Sequence, residues 1–132
     1  MERNMSLDRS QLKFARTHEW VSLEGNQAVI GISDFAVQAL TDLVFIQLPS
    51  VGQPFEAGEI FGEVESVKAV SDLYAPIPGK VVAVNSELPN HLEWLSDDPF
   101  GKGWILKLEV EPGTSLDHLL DSEAYRKECD SH

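Results

Sequence analysis

The segment Val64-Glu65-Ser66-Val67-Lys68-Ala69-Val70-Ser71-Asp72 stands apart as a place where this chain could do chemistry. Runs rich in β-formers flank a short polar break, so the segment reads as a hairpin with Lys68 near its tip. A primary amine held there, away from the body of the protein, is what a covalent carrier needs. It must be offered once to a modifying enzyme and afterwards to several active sites in turn. Two strands make a rigid mast, and a lysine chain lengthened by a cofactor adds reach and rotation. The bound group then never diffuses free between enzymes. The same lysine has a plainer explanation, because charged turn residues keep a hairpin in water, and composition by itself favours that explanation.

Other reactive groups give no competing constellation. There is no phosphate-cradling glycine loop, no G-x-S-x-G elbow and no His pair at metal-ligand spacing, the four His standing at 18, 91, 118 and 132. His18 is expected to pack beside Trp20. Cys129 is the only cysteine, which excludes an intrachain disulfide and a cysteine-built zinc site. Lying among Lys127, Glu128 and Asp130, it is expected to be an exposed spectator thiol. Nothing in this inventory argues for an enzyme.

Composition narrows the partners. The 132 residues suit one domain, 42% of them are hydrophobic, and the net charge is −12. So acidic a surface repels phosphate backbones, which makes nucleic acid and anionic membrane poor partners. No apolar run is long enough to span a bilayer. Residues 1–13 are polar and aperiodic, expected as a flexible leader resembling neither a secretory signal nor a transit peptide. A bacterial cytoplasm is the expected location, or the mitochondrial matrix for a processed form.

The elements that must hold Lys68 are mostly short strands. Trp20–Leu23 and Ala28–Ile32 flank a Gly-Asn turn and read as a hairpin. Ser33-Asp34 can cap a helix over Phe35–Leu40. Strands are expected over Leu43–Leu48, Ile60–Glu65, Leu73–Ala75 and Lys80–Val84, the last nearly continuous in β-branched residues and so expected to be buried on both faces. The long stretch from Asn85 to Gly103 is expected to be a binding loop or to hold short helical turns. Trp104, Leu106, Leu108 and Val110 alternate along one face of a strand. Leu116, Leu119 and Leu120 make an amphipathic turn, and Asp121 or Ser122 caps a terminal helix through Lys127. This is a mainly β fold, a small sandwich or barrel with helical decoration.

At Glu65–Asp72 the chain resembles the lipoylation motif of the glycine cleavage system H protein family. The likeness continues through Thr17-His18-Glu19-Trp20-Val21, Gly31-Ile32-Ser33-Asp34-Phe35-Ala36, Leu43-Val44-Phe45, Leu48-Pro49, Gly52 and Gly58. After the lysine it takes in Tyr74-Ala75-Pro76, Gly79–Val82, Asn85 and Pro99–Trp104. Biotin carriers flank their lysine with methionines, whereas here the neighbours are Val67 and Ala69. Lipoyl domains of 2-oxoacid dehydrogenases lack the opening Thr-His-Glu-Trp strand.

The resemblance implies a barrel-sandwich hybrid over residues 14–128, with lipoate in amide linkage to Lys68 and Glu65, Ser66, Val67 and Ala69 as the modification motif. It implies a monomeric, non-catalytic carrier in glycine catabolism. Such a carrier takes an aminomethyl group from the pyridoxal-phosphate glycine decarboxylase to the tetrahydrofolate-dependent aminomethyltransferase and is reoxidised by dihydrolipoyl dehydrogenase. A lipoate ligase or lipoyltransferase would load it. It further implies a cleft that shelters the loaded arm beside Thr17, Glu19 and Asp72; as surface carboxylates alone, Glu19 and Asp72 would read as solvated charge. Leu92-Glu93-Trp94-Leu95-Ser96 departs from the family's usual proline-x-leucine-x-asparagine pattern, and Phe100 stands where tyrosine is more usual. That departure keeps open a related lipoyl carrier for another pathway, such as sulfur oxidation or lipoyl relay. An unmodified β binding module is the reading from another class, with Trp94 as partner anchor or core filler.

Overall fold

The computed structural model describes residues 12–130. In chain order the elements are β1 (Lys13–Phe14), β2 (Glu19–Glu24), β3 (Gln27–Ile32), α1 (Asp34–Leu40), β4 (Leu43–Gln47), β5 (Pro54–Phe55), β6 (Ile60–Ser66), β7 (Val70–Tyr74) and β8 (Gly79–Val84). A single 3-10 turn at Leu88–Asn90 follows, then α2 (Glu93–Asp97), β9 (Leu106–Glu109), β10 (Leu120–Asp121) and α3 (Ser122–Asp130). Among the described residues the strands form two antiparallel sheets, a larger one in the order β10-β1-β2-β3-β9-β8-β5 and a smaller one in the order β4-β6-β7. This is the mainly β architecture with short helices that the residue pattern predicts.

Local signals set most boundaries. Gly25 takes φ +61°, which lets the Gly25-Asn26 turn join β2 to β3 with Glu24 opposite Gln27. The Ser33 hydroxyl accepts the Ala36 N–H at 3.2 Å and starts α1. Asp121, the first of the two expected caps, accepts the Ala124 N–H at 2.8 Å and starts α3. The Asn85–Gly103 stretch holds helical turns, and these drive Leu88 and Leu95 into the core.

Two apolar clusters share the large sheet. The main one lies between the sheets, with Val21, Ala28 and Ile30 meeting Ile46, Val64 and Leu73. The other packs Leu12, Phe14, Trp20, Phe100, Tyr125 and Cys129. Strand β2 separates them: Val21 serves the first and Trp20 the second, and both are fully buried.

That second cluster corrects several expectations. Leu12 is 1% exposed and Lys13 pairs with Val21 and Asp121, so these two residues of the expected leader are packed into the fold; residues 1–11 lie outside the described residues. Cys129 is buried rather than exposed, since α3 turns it toward the same aromatic residues as Tyr125, one helical turn earlier. Strand β8 buries only Val81 and is not covered on both faces; β2 has a core on each side. Trp104 does not share a face with Leu106, Leu108 and Val110. It precedes the regular strand and packs on the second cluster, while Ile105, bonded through its N–H to the Ile30 carbonyl at 2.8 Å, fills the main core. Leu120 likewise parts from Leu116 and Leu119 to join the second cluster.

Gly31 lies opposite Trp20, and a Cβ there would sit 2.5 Å from the indole ring. Gly31→Ala is therefore expected to lower stability by about 1–3 kcal/mol through overpacking, seen in urea as a lower midpoint at unchanged slope.

Candidate functional site

Strands β6 and β7 form the predicted mast. Ser66 N–H donates to the Ala69 carbonyl at 2.8 Å, which leaves Val67 and Lys68 as the two tip residues. The buried Ser66 side chain fixes this turn. Its oxygen accepts the amides of Lys68 at 3.3 Å and Ala69 at 3.1 Å, and its hydroxyl lies 3.3 Å from the Ala69 carbonyl. The Val67 N–H reaches the Asp42 carbonyl at 3.0 Å, tying the tip to the start of β4. With tip backbone polar groups satisfied locally, the Lys68 chain is left exposed, and its ammonium joins neither ion pair seen among the described residues. Glu65 lies half-buried on β6, and Val67 and Ala69 are exposed.

Strand β7 runs from this tip to a cleft of about 140 Å³. One wall is β7 itself, with Ser71 and Asp72; the other is apolar, from Phe35, Ala36 and Ala39 of α1; Thr17 and His18 line it from the β1–β2 turn. The structure thus brings Thr17 and Asp72, both exposed, to one cleft within four residues of Lys68 along the strand. The α1 wall was not singled out from sequence, although the helical spacing of Phe35, Ala36, Ala39 and Leu40 marks that face. His18 does not simply pack beside Trp20, because its ring lies 5.3 Å from that of Phe35 and 5.7 Å from that of Tyr125.

Glu19 is the exception among the expected cleft residues. It does not line the cleft and is not a solvated surface charge; it is 1% exposed, one hydrogen bond further in. The Thr17 hydroxyl donates to Oε1, and the Tyr74 N–H donates to Oε2 at 2.9 Å. Alternation along β2 contains the signal for this burial, since Glu19 is in phase with Val21. Burial pushes the Glu19 carboxyl up to about 7, against the opposing pull of the Thr17 and Tyr74 hydrogen bonds.

The departing loop keeps its place in the fold. Trp94 on α2 is partly buried against the main core, stacks on His91 at 4.4 Å and lies under the Lys102 ammonium at 5.9 Å. Among the described residues no three His, Cys, Asp or Glu side chains gather to hold a metal ion, and no helix is long and apolar enough to cross a membrane.

Comparison with known proteins adds an independent line. The family model described as Glycine cleavage H-protein matches residues 12–132. A glycine cleavage system H protein of Carboxydothermus hydrogenoformans is 51% identical over 123 residues, covering 93% of this chain and 95% of that protein. One of Rhodopirellula baltica is 53% identical over 129 residues, covering 95% and 97%. The crystal structure of a glycine cleavage system H protein from Mycobacterium marinum superimposes with a TM-score of 0.82 at 36% identity, covering 90% of this chain and 96% of the other.

The raised Glu19 pKa predicts a pH-dependent stability. An acid whose folded pKa exceeds its unfolded value, here about 7 against 4.5, holds its proton more tightly when folded, so stability falls as pH rises through that window. Urea titrations at pH 5 and pH 8 are expected to differ by about 3 kcal/mol from this group, at roughly 1.4 kcal/mol per pH unit. Glu19→Gln is expected to flatten that slope.

Proposed function

Because the chain belongs to the glycine cleavage H-protein family, we propose that it is the lipoyl carrier of the glycine cleavage system, with lipoate attached through an amide to Lys68. The observation that carries the reading is the exposed Lys68 at a two-residue tip whose backbone is held by Ser66 and Asp42. That arrangement presents a single amine on a rigid mast and leaves its side chain free to swing. When attached, lipoate would supply the disulfide that takes up the aminomethyl group of glycine and, after its transfer, is restored by oxidation.

The partners are the other components of that system: the pyridoxal-phosphate glycine decarboxylase, the aminomethyltransferase and dihydrolipoyl dehydrogenase, together with a lipoate ligase or lipoyltransferase. Their common requirement is access to one arm in turn, which suits a monomeric, non-catalytic carrier in the bacterial cytoplasm. Glu65, Ser66, Val67 and Ala69 give the modifying enzyme a fixed frame around Lys68.

The cleft beside β7 suits protection of a cationic amine. Asp72 offers a carboxylate at the rim, and Thr17, whose proton is committed to Glu19, keeps oxygen lone pairs to accept a hydrogen bond. The apolar α1 wall limits the approach of water. Glu19 acts from behind by fixing Thr17.

Intact and peptide masses after incubation with lipoate, ATP and a lipoate ligase are expected to show one lipoyl increment on the Lys68 peptide. None is expected in Lys68→Ala; an unmodified Lys68 under conditions that load an H protein would defeat the proposal. Asp72→Ala is expected to load normally yet to release ammonia and formaldehyde from the charged arm roughly tenfold faster, as loss of one charge-assisted hydrogen bond implies.

A further inference from the structure

The terminal helix lies far in sequence from Lys68, but one of its side chains reaches the turn that forms the cleft. Tyr125 is buried, its ring stacked on Phe14 at 4.3 Å with the planes 6° apart. Its hydroxyl oxygen is 2.5 Å from Ser33 Oγ and 2.7 Å from His18 Nδ1. Each of these partners belongs to a different wall of the cleft. His18 sits between Thr17 and Glu19 at φ 86°, a left-handed conformation uncommon for a residue other than glycine. Ser33 is fully buried and caps α1, which supplies Phe35, Ala36 and Ala39.

These contacts form one hydrogen-bonded chain. The Tyr125 hydroxyl bridges Ser33 Oγ and His18 Nδ1, the Ser33 oxygen also accepts the Ala36 N–H, and Cys129 is a further side-chain partner of the phenol. Burial pushes the Tyr125 phenol far above its ordinary pKa, so it stays a neutral donor. Besides this chain, the Ser33 N–H donates to the His18 carbonyl at 2.9 Å. The phenol is therefore the side-chain brace that sets the strained turn against the helix start.

We infer that Tyr125 is a positioning residue for the arm cleft, its hydroxyl holding the Thr17–Glu19 turn in register with the N-terminus of α1. The inference rests on the carrier reading for its consequence in function, but the brace itself can be tested in unmodified protein.

Tyr125→Phe keeps the ring stack and removes the oxygen. Leu120→Ala thins the same apolar cluster without touching the brace and serves as the stability control. In unmodified protein, Tyr125→Phe is expected to move the His18 Nδ1 nitrogen resonance and to speed hydrogen exchange at the Ser33 and Ala36 amides about tenfold relative to amides in β6. Leu120→Ala is expected to lower Tm at least as much and to leave both signals in place. Ser33→Ala, losing the cap, is expected to speed exchange at Ala36 while the His18 nitrogen still reports its phenol partner. After lipoylation, Tyr125→Phe is expected to load Lys68 at the wild-type rate and to lose the aminomethyl cargo several-fold faster. An unmoved His18 resonance with unchanged exchange in Tyr125→Phe overturns the inference, as does a Leu120→Ala protein that matches it in every readout. Failure of the wild type to accept lipoate overturns the carrier reading instead, and the resonance and exchange data still judge the brace.

Discussion

A buried carboxylate joins the two sheets. The smaller sheet ends at β7, where Ala75 turns its N–H inward to the Glu59 carbonyl and Tyr74 turns its N–H outward with no strand beside it. Glu19, on a strand of the larger sheet, supplies the missing acceptor. An unpaired buried N–H would be costly, and so would an unpaired buried carboxylate; here each satisfies the other. The arrangement fixes where β7 lies against β2, and β7 carries both the wall of the cleft and, at its other end, the tip lysine. The raised pKa of Glu19 reflects its burial in that seam.

Strand β2 is accordingly the most constrained element of the chain. It presents Val21 and Glu19 to the space between the sheets and Trp20 to the second cluster, so it has no face left for water over those three residues. Gly31 is required opposite Trp20 for the same reason. The turn leading into β2 has little freedom, with His18 at positive φ and Ala15 N–H bonded to the Glu19 carbonyl at 2.8 Å. A binding cleft built on so restricted a turn can hold Thr17 in one orientation.

Features that depend on neighbours in sequence were legible before any coordinates. The β2–β3 hairpin follows from its glycine turn, α1 and α3 from Ser33 and Asp121, and the lysine tip from two β-rich runs around a polar break. What escaped was the second cluster, because Leu12 and Phe14 meet Tyr125 and Cys129 from the opposite end of the described chain, and no short window contains both. The burial of Leu12 within the expected leader and the supposed exposure of Cys129 share that cause. Of the expected cleft residues, Thr17 and Asp72 came from family resemblance, since nothing local to either predicts that they meet. The burial of Glu19 was readable from its phase with Val21, but the abundance of acidic residues hid it.

The brace from α3 also orders events during synthesis. The mast needs only residues up to β7 and its partner strands, whereas the second cluster closes only when the last described helix has left the ribosome and found Phe14. Contacts between distant parts of a chain form late and bring a larger loss of chain entropy. A nascent chain can thus display its lysine before its shelter is complete, and Tyr125 distinguishes a chain whose synthesis has passed α3 from one whose synthesis has not.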